Sequence, residues 1–238
     1  MSNRSEPAAV WLKRNGLLTR WLHGTNALTV LILLFTGLAL GDRFGDGLVE
    51  LSGGHELIND VHQWLGTGYT GAAVVLGLVF ARKTAGLLRD VAVFRRADRA
   101  WMPAFARHYF RPGHHAPPFH EGRFDPAQRL VFIGLTVSLV LVAASGIVLF
   151  AFVDMSRAVF MWTIRTHIAA AWLLIISTIL HVLAGLGLPR THRGLVRAMF
   201  GDGRVRLGLA QTLWPGWVRG QQHQNDRADE LSGDDGRQ

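Results

Sequence analysis

Cysteine is absent from all 238 residues. Its absence excludes disulfides, thiolate-held iron–sulfur clusters, covalently attached c-type haem and cysteine-based zinc sites. Charge is scarce as well. Asp, Glu, Lys and Arg make up 18% of the chain, against about 25% in an ordinary soluble domain. No glycine-rich nucleotide fingerprint set between a strand and a helix and no internal repeat occurs, which argues against a nucleotide-dependent enzyme with its own substrate site. What remains is apolar surface and histidine. Hydrophobic residues are 49% of the sequence, and there are 11 histidines. Any metal must be held by His, Met, carboxylate or backbone. The formal charge of +8 would suit nucleic acid, but the cations sit beside apolar segments. The positive-inside rule accounts for them, and no nucleic-acid partner is expected.

Four segments are long enough, at about 20 residues, to cross a bilayer. They run from Leu18 to Leu40, from Val61 to Arg82, from Leu130 to Phe152, and from Met161 to Leu188, where Pro189 stops the last. The first is not read as a signal peptide, because its apolar run exceeds the usual h-region of about 7–15 residues and no A-x-A site follows. Of the 25 Lys and Arg residues, 22 fall in the N-terminal segment, the second loop and the C-terminal tail, with Arg20 and Arg82 at the cytoplasmic span ends counted among them. That places both termini and the long second loop in the cytoplasm of a bacterium, with the chain in its inner membrane. Asp42, Asp46, Glu50, Glu56 and Asp60 in the first loop suit the outer face. The expected fold is all-α: an integral membrane bundle of four transmembrane helices with a long cytoplasmic loop between helices two and three. Residues 1–17 form the cytoplasmic N-terminus, 18–188 the membrane domain and 189–238 the cytoplasmic tail. Trp101 in the second loop is a candidate interfacial anchor. The last twenty residues, rich in Gln, Asp and Gly, are expected to lack structure.

Ionisable residues inside a span are costly and are functional candidates. His23, His62, His167 and His181 lie in or at the ends of the spans. His167 and His181 are fourteen residues apart, which on a helix is about 21 Å and close to four turns. Both rings therefore point to one face at two depths. His62 shares the depth of His167, and His23 that of His181. Two facing imidazole pairs in a helix bundle suit two bis-histidine haem irons, an arrangement for electron transfer. The competing reading is a transporter that moves protons along a histidine relay. Arg20 and Arg165 either meet haem propionates or merely flank the membrane. Gly37 and Gly146 either admit a porphyrin or are ordinary small-residue packing. His114, His115 and His120 are read as part of a solvated loop.

At these residues the chain resembles a known family. RWLHGTNALTVLILLFTGLAL in helix one, DVHQWLG opening helix two and the helix-four histidine pair are similar to the gamma subunit of membrane-bound formate dehydrogenase. That subunit belongs to a wider group of di-haem cytochromes b that also serve hydrogenases and thiosulfate reductases. RRADRAWMPAF, GRFDPAQRLVFIGL and FGDGRVRLGLAQTLWPGW extend the resemblance over about Leu17 to Trp217. It implies two haem b groups, one on His62 and His167 near the periplasm and one on His23 and His181 near the cytoplasm. It also implies an iron–sulfur subunit and a molybdenum or tungsten catalytic subunit as partners in a respiratory chain. Electrons would then reach a quinone, menaquinone or ubiquinone, at the cytoplasmic side. The turn entering helix three would help form the quinone pocket with Asp125, Ala127 and Gln128. The family commonly has Asn and Gly where Asp125 and Ala127 stand. Alternatives within the same resemblance are a hydrogenase or thiosulfate reductase cytochrome, and a stand-alone di-haem oxidoreductase exchanging electrons between quinone and superoxide.

Overall fold

The computed structural model describes residues 9–43, 46–110, 120, 122–151, 154–188 and 192–223. Pro189, His114 and His115 lie outside these residues. In chain order the elements are β1 (Trp11–Lys13), α1 (Leu17–Leu40), α2 (Asp46–Leu51), α3 (Gly54–Val79), α4 (Ala81–Ala92), α5 (Arg96–Phe110), α6 (Pro126–Ala151), α7 (Arg157–Gly185), α8 (Val196–Phe200), β2 (Arg204–Arg206) and α9 (Leu207–Leu213). The protein is an all-α membrane helical bundle, with one small antiparallel strand pair among the described residues. It divides into two compact units.

One unit comprises Leu18–Arg89 and Val131–Val182. Within the described residues, α1, α6 and α7 are each long and apolar enough to cross a membrane. The second span departs from expectation. Its helix begins seven residues earlier, at Gly54, and breaks at Phe80, beyond which α4 turns away by 95°. Phe80 leaves helical geometry at φ −105°, ψ 28°. Arg82 and Lys83 follow at once, and an apolar path cannot continue through two cations. Taken with α4, α3 makes the fourth candidate span. α1 closes with a Schellman turn: the Arg43 N–H donates to Leu38 O and the Asp42 N–H to Ala39 O. Asp42 takes the left-handed position at φ 56°, which short polar side chains tolerate. The first loop contains α2, whose Val49 packs with Ala39 and Ile58.

The long helices approach closely. The Tyr69 hydroxyl on α3 donates to Asn26 on α1 at 2.6 Å. On α6, a Cβ built at Gly134 would lie 2.5 Å from Ser177 Oγ on α7. Small residues at crossings are how membrane helices gain contact when the hydrophobic effect cannot discriminate helix from lipid.

The other unit gathers the segment up to Leu17, Asp90–Leu130, and the chain from Leu183 onward. β1 and β2 pair antiparallel, with Leu12 opposite Val205. Val205, Ala198, Ala210, Leu213, Trp214 and Val218 form its apolar core. Trp101, expected as an interfacial anchor, is instead buried here, stacked on Phe105 at 4.5 Å. Of the segment expected to lack structure, 219–223 is helical and 224–238 lies outside the described residues.

α6 starts four residues before the expected span because its N-terminus is built from an Asp–Pro step. Asp125 caps the helix, accepting the Gln128 N–H at 2.8 Å, and Pro126 occupies the first turn, where no N–H is needed. α7 also starts early. Ser156 lies just ahead of it, its Oγ 3.4 Å from the Val159 N–H.

Candidate functional site

The four span histidines meet as two pairs within the four-helix unit. His62 on α3 and His167 on α7 have ring centroids 6.2 Å apart, with planes 81° to each other. His23 on α1 and His181 on α7 are 6.0 Å apart, with planes at 45°. These are the pairs that depth alone suggests. All four rings are half-buried.

The first pair sits at a level to which all four long helices contribute. On α1, Thr36 Oγ1 lies 2.8 Å from His62 Nδ1. On α6, Ser145 Oγ lies 3.0 Å from His167 Nδ1. The residue after each hydroxyl is a glycine. A Cβ on Gly37 would stand 3.1 Å from His62 Cε1, and one on Gly146 would stand 3.4 Å from His167 Cε1. The glycines thus make room for imidazole edges. Expectation had offered them to a porphyrin or to general packing. At the second level, Phe132 of α6 packs edge-on against His181 at 6.2 Å.

The spacing within each pair tests what they can hold. A metal–imidazole bond is about 2.0–2.1 Å. A five-membered ring with bonds of about 1.33 Å has its atoms about 1.1 Å from its centre. Two imidazoles on opposite sides of one iron therefore have centroids about 6.3 Å apart. The observed 6.2 and 6.0 Å match this. The planes are free to differ, because each ring can turn about its bond to the metal. A bare ion such as zinc wants three or four protein ligands. Among the described residues, no group of three or more His, Asp or Glu side chains could supply them. A haem iron would need only two protein side chains, and His62 with His167, or His23 with His181, would supply them.

The two candidate cations differ. Arg20, one turn from His23, has a buried Nε with no hydrogen-bond partner among the described residues. That is the environment a propionate would complete. Arg165 is exposed, with its guanidinium 5.8 Å from the Trp162 ring centroid. Two residues from His167, it leaves the helix on the opposite side.

Residues 14–202 match the family model of the prokaryotic cytochrome b561. The chain belongs to that family. No curated protein matches it. As a cytochrome b561 it is a multi-pass membrane protein that binds haem b and transfers electrons, and the imidazole pairs are the side chains that fit the group.

The remaining expected site residues lie in the other unit and are engaged structurally. Asp125 is 4% exposed. Burial raises its carboxyl to about 6, against the opposing pull of the Gln128 and Ala127 N–H groups and the Arg129 charge. The Gln128 side chain accepts the Trp214 indole N–H at 3.1 Å. Next to this turn, Arg129 forms a buried ion pair with Asp98 at 2.8 Å and donates to Val93 O. His120 is not solvated as expected. It is 5% exposed, its Nε2 is 2.6 Å from Leu213 O, and burial lowers its pKa. His192 is likewise buried, which lowers it to about 4.

Thr36 and Ser145 were not anticipated as part of the site. The available signal was a hydroxyl residue directly before a glycine in two different spans.

Proposed function

We propose that this cytochrome b561 is the electron-transfer subunit of a membrane-bound respiratory dehydrogenase of the formate dehydrogenase type. It would pass electrons from a periplasmic iron–sulfur subunit, next to a molybdenum or tungsten catalytic subunit, to quinone on the cytoplasmic side. The observation that carries the reading is the pair of facing imidazoles at each of two levels about 21 Å apart along α7. His62 and His167 would hold one haem b and His23 and His181 the other, with Arg20 beside the second. The haems would supply one-electron chemistry at two depths. The chain's own work is to hold each pair rigid, keep water out and fix the separation. The charge distribution supports both termini on the cytoplasmic side of the inner membrane. Asp125, Ala127 and Gln128 would lie toward the quinone, as the resemblance implies. Electrons moving inward while protons are taken from the cytoplasm would store about 2.3 kcal/mol per charge per 100 mV.

The test has three readouts. Dithionite-reduced membranes should show a b-type alpha band with two haems per chain. Affinity purification in mild detergent should bring down an iron–sulfur subunit and a molybdenum- or tungsten-containing subunit. Reporter fusions should place the C-terminus in the cytoplasm. One haem per chain would end the two-pair reading, and a chain that purifies alone with full quinone reductase activity would favour the stand-alone oxidoreductase.

A further inference from the structure

The contacts around Thr36 and Ser145 fix where the protons are. Thr36 Oγ1 lies 2.9 Å from Ile32 O and 3.2 Å from Leu33 O, besides its 2.8 Å contact with His62 Nδ1. Ser145 Oγ lies 2.5 Å from Leu141 O, 3.3 Å from Val142 O and 3.0 Å from His167 Nδ1. A hydroxyl has one proton to give. Two oxygens at 2.5 or 2.9 Å need a proton between them, so each hydroxyl donates to its own helix carbonyl. Against the imidazole it can then only accept, and Nδ1 carries the hydrogen. Nε2 is left as a bare lone pair, which is the form a metal requires.

The same construction occurs twice. On α1 the hydroxyl–glycine step Thr36–Gly37 receives His62 of α3. On α6 the step Ser145–Gly146 receives His167 of α7. The glycine lets the ring edge in to 3.1–3.4 Å of the position a Cβ would take, and the hydroxyl beside it takes the Nδ1 hydrogen. Both Thr36 and Ser145 are buried, so water does not compete for these bonds.

We propose that Thr36–Gly37 and Ser145–Gly146 are matched seats that fix the tautomer of His62 and His167 and, through them, lower the reduction potential of the iron this pair holds. An imidazole that donates from Nδ1 is a stronger base at Nε2. Stronger donation favours the ferric state, as does a polar oxygen beside a buried charge. Both effects have the same sign, so removing a hydroxyl raises the potential. Thr36 and Ser145 are positioning residues acting through the histidines. The inference rests on the haem reading above.

The test uses the full chain in its own membranes, with any partner subunits retained. The alpha band is titrated against applied potential in wild type, Thr36→Val, Ser145→Ala and Thr36→Ser. The step belonging to the His62–His167 pair is identified by its absence in His167→Ala. In Thr36→Val that step should move upward by about three- to tenfold in the ferrous to ferric ratio, which is about 30–60 mV. The other step should stay in place. Ser145→Ala should move the same step the same way, and Thr36→Ser should leave it at the wild-type position. The proposal is overturned if neither step moves, if both move together, or if Thr36→Ser shifts as far as Thr36→Val. Loss of the haem in Thr36→Val with retention in Thr36→Ser supports it; loss in both indicates packing alone and overturns it. A wild type without a b-type alpha band removes the haem reading itself, whereas a wild type with two steps that ignore these substitutions removes only this inference.

Discussion

Replacing Asp125 with Asn removes a charge and keeps a helix cap. Folding lifts the Asp125 carboxyl from the ordinary 3.8 to about 6, chiefly by burial. At about 1.36 kcal/mol per pH unit, the ionised form is disfavoured by about 3 kcal/mol on folding. An acid raised in the folded state is penalised only when ionised. The penalty is therefore absent below about pH 4, grows between pH 4 and 6, and is complete above 6. Asn caps helices about as well as Asp, so Asp125→Asn keeps the bond from the Gln128 N–H. At pH 7.5 the variant should be more stable by up to about 3 kcal/mol, and at pH 4 it should match the wild type. The amide's own burial cost makes this a ceiling. Thermal unfolding of the full chain in detergent, followed by tryptophan fluorescence, reads the difference; Trp214, bonded to Gln128, reports from the same unit. Asp125→Ala loses the cap and should fall below Asp125→Asn by about 1 kcal/mol at both pH values. Equal melting of wild type and Asp125→Asn at pH 7.5 would refute the argument, as would a gain of the same size at pH 4.

Arg129→Met leaves Asp98 as a buried charge without its cation, and should destabilise the chain by about 3–5 kcal/mol in the same unfolding assay. Gly37→Val pushes a branched side chain into the His62 ring, and pigment analysis should find one haem fewer per chain. Gly66→Ala, where the new Cβ meets Leu33 at an ordinary 3.7 Å, should retain both. His167→Ala and His181→Ala should each remove one haem and leave the other, measured by pyridine haemochrome content; either variant keeping two would break the pairing.

The histidine pairs were legible because a helix converts spacing into direction. Fourteen residues on one apolar segment can be read without knowing any neighbour. The seats of His62 were not legible in the same way. Thr36 and His62 are 26 residues apart on different helices, and their contact depends on a crossing that periodicity does not specify. The second span was misjudged for a local reason: Phe80 breaks the helix while the apolar character runs on to Ala81. The unit containing Asp98, His120 and Arg129 was the least visible. His120 finds Leu213 across 93 residues, and a sequence full of arginine looks solvated until a partner such as Asp98 is found for one of them.

Because α7 carries one histidine of each pair, the stretch between 167 and 181 behaves as a reading frame. Insertion of one residue there would swing one imidazole by about 100° and slide it by about 1.5 Å, so no rigid adjustment could serve both partners at once. Insertions of three or four residues come nearest to restoring direction, but they stretch the separation by about a turn. Length variation in this protein should therefore be tolerated in its connections and forbidden between these two positions, and a designer who wants a different gap between the two imidazole pairs must change it in whole turns.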